Sequence, residues 1–168
     1  DDFAEGCAFL LGHNLIAFDA PYLAAAKPDL RLLELPMVDT LLLNPLAFPR
    51  NPYHHLVKHY QDGQLKRGRL NDPQLDACLT LEVFRDQQNA LRVLRQSAPD
   101  LLLAWHWLIA ADGVTAGLNA FFMTVRRRSR PTEAEAQTAI ERFLGGRGCL
   151  NHARAILAEA KQHPWALA

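Results

Sequence analysis

The sequence predicts an α/β unit over residues 1–97 followed by an all-α region over residues 98–168. Three observations carry this division. Cys7–Leu11 is a short, unbroken apolar run ended by Gly12, the pattern of a buried strand, and a helical stretch follows it. Asn71-Asp72-Pro73 then announces a long helix, with Asp72 as the cap and Pro73 at the first helical position. From Pro99 onward every segment has a helical period.

The elements follow in order. Cys7–Leu11 reads as a central strand. Asp19–Ala26 reads as a helix, with Pro21 tolerated in the first turn and Lys27-Pro28-Asp29 as the stop. Leu32–Val38 reads as a second strand that Pro36 shortens or confines to an edge. Asp39-Thr40 caps a helical turn through Leu43. Pro45, Pro49 and Pro52 predict an extended loop. Tyr53, Leu56, Val57 and Tyr60 recur at helical spacing and predict a short helix. Gln61–Leu70 is polar, carries Gly63 and Gly68, and reads as a loop. The long helix runs to about Gln96, with Leu75, Leu79, Val83, Leu91 and Leu94 near one stripe. Helices are expected near 99–111, 115–127, 132–144 and 149–162. Their stops are Asp112-Gly113, Arg130-Pro131, Gly145-Gly146 and Pro164. Thr132 and Glu135 have the spacing of a capping box.

Composition bounds the function. Hydrophobic residues make up 49% and charged residues 21%, which excludes a disordered chain. Eighteen basic and eighteen acidic side chains cancel, which excludes a nucleic-acid binder held by bulk charge. Cys7, Cys78 and Cys149 lie far apart with no C-x-x-C pair, against a closed zinc site or a disulfide framework. That usage predicts a reduced, cytoplasmic chain. No apolar run approaches the roughly 18 residues of a membrane span. The chain opens on Asp1 and enters its first strand almost at once, so it is expected to be a piece of a longer protein.

Two segments hold candidate chemistry, Gly12–Leu23 and Asn71–Ala77. Asp19 opens a helix, where a carboxylate suits the dipole as a cap. The same position suits a hard-metal ligand, because Mg²⁺ and Mn²⁺ prefer carboxylate oxygens. His13 reads as a satisfied turn residue, with a base as the other reading, and Asn14 as a turn or local hydrogen-bonding residue. Asp76 lies between Leu75 and Leu79 near the buried face of its helix, where an ionised carboxylate needs a partner or a metal. A solvated helical Asp is the other reading of that residue.

The string Gly12-His13-Asn14, then Phe18-Asp19, then Pro21-Tyr22-Leu23 resembles the second exonuclease motif of the DEDD superfamily of 3′–5′ exonucleases, the DnaQ-like branch of the ribonuclease H-like fold. The gap between Asn14 and Phe18 resembles the proofreading domains of family B polymerases and some helicase-linked exonucleases. Asp76-Ala77 looks like the third motif, and Met37-Val38-Asp39-Thr40 is similar to a strand-to-helix segment common in such enzymes. The Tyr53–Tyr60 helix is similar to the short helix of the third-motif region. The resemblance covers residues 6 to about 90.

That resemblance implies a partial ribonuclease H-like fold followed by the all-α region. It implies that Asp19 and Asp76 are two of four carboxylates holding two Mg²⁺ or Mn²⁺ ions. The other two come from a D-x-E on an opening strand. No D-x-E precedes the second motif here, so the opening strands are expected to lie outside this chain. The histidine-dependent branch places its base five residues before the last Asp. Asn71 occupies that position and can orient a water; the tyrosine of the other branch is replaced by Asp72. His13, Asn14, Phe18 and the loop residues Lys66, Arg67 and Arg69 are then expected to meet the substrate, single-stranded DNA or DNA 3′ ends. The wider layout resembles the N-terminal part of bacterial RecQ-like ATP-dependent helicases with a fused exonuclease. No G-x-x-x-x-G-K-[ST] is present, so the ATPase is expected C-terminal to this chain.

Two functional expectations follow. One is part of a 3′–5′ exonuclease that uses two-metal phosphodiester hydrolysis, with the chain alone inactive. The other is a catalytically degenerate nuclease fold that grips nucleic acid or serves as a scaffold. Arg126–Arg130 reads as a solvated helix end or a phosphate contact, and Trp105 and Trp107 point to different helix faces, one of them core.

Overall fold

The computed structural model describes residues 4–51, 54, 56, 60–61, 64–65, 72–109, 116–145 and 159. It is a mixed α/β chain dominated by helices. Strand β1 (Leu10–Gly12) pairs in parallel with β2 (Met37–Asp39), in the register Leu10 to Met37, Leu11 to Val38 and Gly12 to Asp39. A parallel pair needs a crossover. Here it contains a π-helical turn (Leu15–Asp19), α1 (Ala20–Ala26) and a 3₁₀ turn (Arg31–Glu34). Helix α2 (Thr40–Ala47) leaves β2 directly. A small antiparallel hairpin, β3 (Tyr60–Gln61) and β4 (Gln64–Leu65), precedes the long α3 (Pro73–Ser97). Then come α4 (Pro99–Ile109), α5 (Ala116–Arg126) and α6 (Glu133–Leu144).

Several expectations change. The first strand starts at Leu10 rather than Cys7, and Cys7 and Phe9 are exposed. Pairing rather than apolarity sets its limits, because only Leu10–Gly12 find partners on β2. Among the described residues β1 pairs with β2 alone. The second strand begins after Pro36, whose carbonyl still accepts from the Leu10 N–H. Leu32–Glu34 turn as 3₁₀ instead. Pro45 lies inside α2, not in a loop: the helix runs on to Ala47 because Leu43 and Leu46 are fully buried. Tertiary burial there outweighs the lost backbone bond. The short helix expected over Tyr53–Tyr60 is absent at the described positions. His54 and Leu56 are irregular and Tyr60 opens β3. Parts of the expected 61–70 loop pair as β3 and β4, and the helix expected at 149–162 lies outside the described residues apart from Glu159.

Other signals translate directly. Asp72 accepts from the N–H groups of Gln74 and Leu75, each at 3.1 Å, with Pro73 at the first position. The Thr132 hydroxyl accepts from the Glu135 N–H, while the Glu135 carboxylate accepts from the Thr132 N–H at 2.7 Å. A single apolar cluster joins Val38, Leu43, Leu46, Phe84 and Leu91 to Leu102, Trp105, Leu118, Phe122 and Ile140. The core therefore runs without a break across the 97/98 position. Trp105 is buried in it, whereas Trp107 is only partly covered. Among the described residues no helix is long and apolar enough to cross a membrane.

His106 is fully buried on α4 and stacks on Phe122. Arg126 Nη1 donates to its Nδ1 at 2.6 Å, so the ring hydrogen sits on Nε2 and is donated to Asn119 Oδ1 at 2.9 Å. Burial, with the Arg126 and Arg130 charges, pushes its pKa down to about 4, against the Asn119 bond. The unfolded chain thus binds this proton more readily than the folded one. The contribution is complete above about pH 6.5 and is lost as pH falls toward 4, an effect of order 3 kcal/mol. Urea unfolding at pH 7 and pH 4.5 should show a stability loss that is smaller in His106→Gln. Equal losses in the two proteins would contradict this account.

Candidate functional site

β1 and β2 are parallel, so Gly12 and Asp39 end side by side. Open parallel sheets bind ligands beyond that carboxyl edge. Asn14 follows in the left-handed region (φ 63°, ψ 23°), a conformation that Asn tolerates better than most residues. The chain then enters the π-helical turn and reaches Asp19, the residue before α1.

Asp39 fastens this loop. It is 2% exposed, and an ionised carboxylate at that depth needs compensation. It accepts three backbone N–H bonds: Asn14 at 2.8 Å, Ile16 at 3.0 Å and Leu41 at 2.9 Å. One side chain therefore caps its own helix α2 and also the start of the turn that carries Asp19. Both helical starts present positive dipole ends to it.

Thr40 continues the network. Its hydroxyl donates to the Gly12 carbonyl at 3.1 Å, which leaves the oxygen to accept from His13 Nδ1 at 2.9 Å. This puts a hydrogen on His13 Nδ1. The Thr40 carbonyl accepts from Gln87 Nε2 at 2.8 Å, and the same amide donates to Asn44 Oδ1 at 3.0 Å. Asn44 in turn donates to the His54 carbonyl at 3.2 Å. Gln87 lies on α3, about 16 Å along the helix from Asp76 at 1.5 Å per residue. Loop, sheet, α2 and α3 thus share one buried polar chain.

Asp19 is exposed, and its carboxylate makes no cap bond to α1. The capping half of its sequence reading is therefore not realised. Phe18 and Tyr22 flank it with rings 4.9 Å apart, and both are largely exposed, at 54% and 66%. Asp76 stands half-buried in the first turn of α3, with Oδ1 shielded from solvent. Its backbone N–H donates to the Asp72 carbonyl at 3.0 Å. His13 and Asn14 are partly buried within the loop. Asn71, Lys66, Arg67 and Arg69 lie outside the described residues.

Among the described residues no group of three or more His, Cys, Asp or Glu side chains is placed to hold a metal ion. Asp19 and Asp76 are two hard oxygen donors, the number that a Mg²⁺ ion often takes from protein. They fit a share of a two-ion donor set and do not supply all of one. In the sequence Asp39 and Thr40 read as a helix cap and as part of the Met37–Thr40 resemblance, with no role at the site for either, and Gln87 is not singled out. No family model, curated protein or solved structure matches the chain.

Proposed function

We propose that this chain is part of a metal-dependent 3′–5′ exonuclease module of ribonuclease H-like type, acting on single-stranded DNA or DNA 3′ ends. The observation that carries the reading is the placement of Asp19. Its carboxylate makes no cap bond and stands exposed at the end of the turn that follows the carboxyl end of β1, on a loop that a buried carboxylate fastens. Asp19 and Asp76 would hold Mg²⁺ or Mn²⁺. Such ions, when bound, activate a water and stabilise the leaving 3′ oxygen. The exposed Phe18–Tyr22 pair beside Asp19 offers faces on which terminal bases can stack. His13 and Asn14 shape the loop, Lys66, Arg67 and Arg69 steer the backbone, and Asn71 orients water. The partner proposed to deliver the strand is an ATP-dependent helicase region fused C-terminal to these residues.

A second reading is a degenerate nuclease fold that binds nucleic acid without cutting it. Asn71 at the base position favours it. Fluorescence anisotropy with a single-stranded oligonucleotide, with and without Mn²⁺, separates the readings. The exonuclease reading expects Mn²⁺ to tighten binding, and Asp19→Ala or Asp76→Ala each to weaken it about tenfold. Binding indifferent to Mn²⁺ and to both substitutions supports the degenerate module; no binding at all removes both. Nucleotide release from labelled DNA is expected to be negligible, because Asp19 and Asp76 would be two of the four carboxylates that this reading requires.

A further inference from the structure

We infer that Asp39 and Thr40 are the positioning residues of this site. Asp39 sets the backbone path from Asn14 to Asp19, and Thr40 ties that path to the helix that carries Asp76. The inference deepens the nuclease reading and rests on it for the identity of the bound cation.

The division of labour within the carboxylate is specific. Asp39 Oδ1 takes the N–H groups of Asn14 and Leu41, while Oδ2 takes that of Ile16. The first oxygen holds the left-handed corner and caps α2. The second holds the first turn of the segment that ends at Asp19. An amide at position 39 has one oxygen. It can keep the Oδ1 bonds, but its NH₂ would then face the Ile16 N–H, donor against donor. Asp39→Asn therefore releases the Asp19 side of the loop selectively.

Thr40 acts through both of its polar groups. The hydroxyl joins Gly12 to the His13 ring, and the carbonyl receives Gln87 from α3. Valine has nearly the same shape and no hydroxyl, so Thr40→Val removes the side-chain bonds to the Gly12 carbonyl and to the His13 Nδ1–H together. Serine restores both bonds. Side chains that aim metal ligands from behind typically change metal affinity by about 10–100-fold when altered.

The test is a Mn²⁺ titration of the full 168-residue chain followed by NMR. Paramagnetic broadening is read at the amides beside Asp19 and Asp76, with ¹⁵N shifts reporting the His13 tautomer and hydrogen exchange read at Ile16. The unaltered chain should show His13 protonated at Nδ1. Asp39→Asn should speed Ile16 exchange and weaken Mn²⁺ at Asp19 by about tenfold. Thr40→Val should lose the tautomer signature and weaken Mn²⁺, while Thr40→Ser should match the unaltered chain. This pair decides the matter if Asp39→Asn fails to fold. Unchanged Mn²⁺ affinity in Asp39→Asn and Thr40→Val, or His13 protonated at Nε2 in the unaltered chain, overturns the inference. Absence of Mn²⁺ broadening near Asp19 in the unaltered chain overturns the nuclease reading instead. Ile16 exchange in Asp39→Asn then settles on its own whether Asp39 holds the loop.

Discussion

Gly117→Ala should destabilise the chain by about 2–3 kcal/mol, although alanine is the better helix former by about 1 kcal/mol. Gly117 lies in the first turn of α5, where that helix crosses β2. A Cβ there would overlap the Met37 carbonyl oxygen, carbonyl carbon and backbone nitrogen, all of them well inside van der Waals contact. These are backbone atoms of the paired strand, and they cannot rotate aside as a side chain would. Relief requires moving α5 off the sheet, and with it buried Leu118, Phe121 and Phe122. Urea unfolding measures the loss directly. A variant as stable as the parent would show that α5 does not seat on β2 as described.

Trp105→Ala should have the largest effect, about 3–5 kcal/mol. Trp105 is 1% exposed and is among the largest fully buried side chains described. Its cluster contains Leu43 and Leu46 of α2 as well as Phe122 and Ile140 of α5 and α6. The consequence should therefore not stay within the helical region. Hydrogen exchange is expected to quicken at the amides of Leu43 and Leu46 together with those of α4 and α6. Protection retained in α2 while α4 opens would show two separable units instead of one cooperative core.

Legibility in the sequence followed the range of the interactions. Local chemistry was readable. Asp72 and Pro73 started α3, and Thr132 with Glu135 started α6, because a cap is completed within four residues. The interruption between α5 and α6 was readable from Pro131, but the left-handed turn at Arg127 (φ 57°) that ends α5 was not. Elements defined by partners were not. β1 is limited by what Met37–Asp39 can pair with, and apolar Cys7–Phe9 gave no hint of that. Pro45 looked like a breaker, yet the burial of Leu43 and Leu46 carried α2 through it. Tyr60 had helical spacing but pairs with Leu65 across a hairpin. At the site, the Gly12–Asp19 string was legible as a unit. The residue that holds it, Asp39, bonds to it from 25 and 23 positions away, beyond any local pattern.

The claim on which the functional account stands is that Asp19 and Asp76 converge on the same divalent cation. A crystal grown with Mn²⁺ and measured for anomalous scattering tests it most directly. The account predicts an anomalous peak within coordination distance of both carboxylates, lost in Asp19→Ala and in Asp76→Ala. A peak that engages one carboxylate alone, or two side chains directed to separate faces of the molecule with no shared ion, would contradict it.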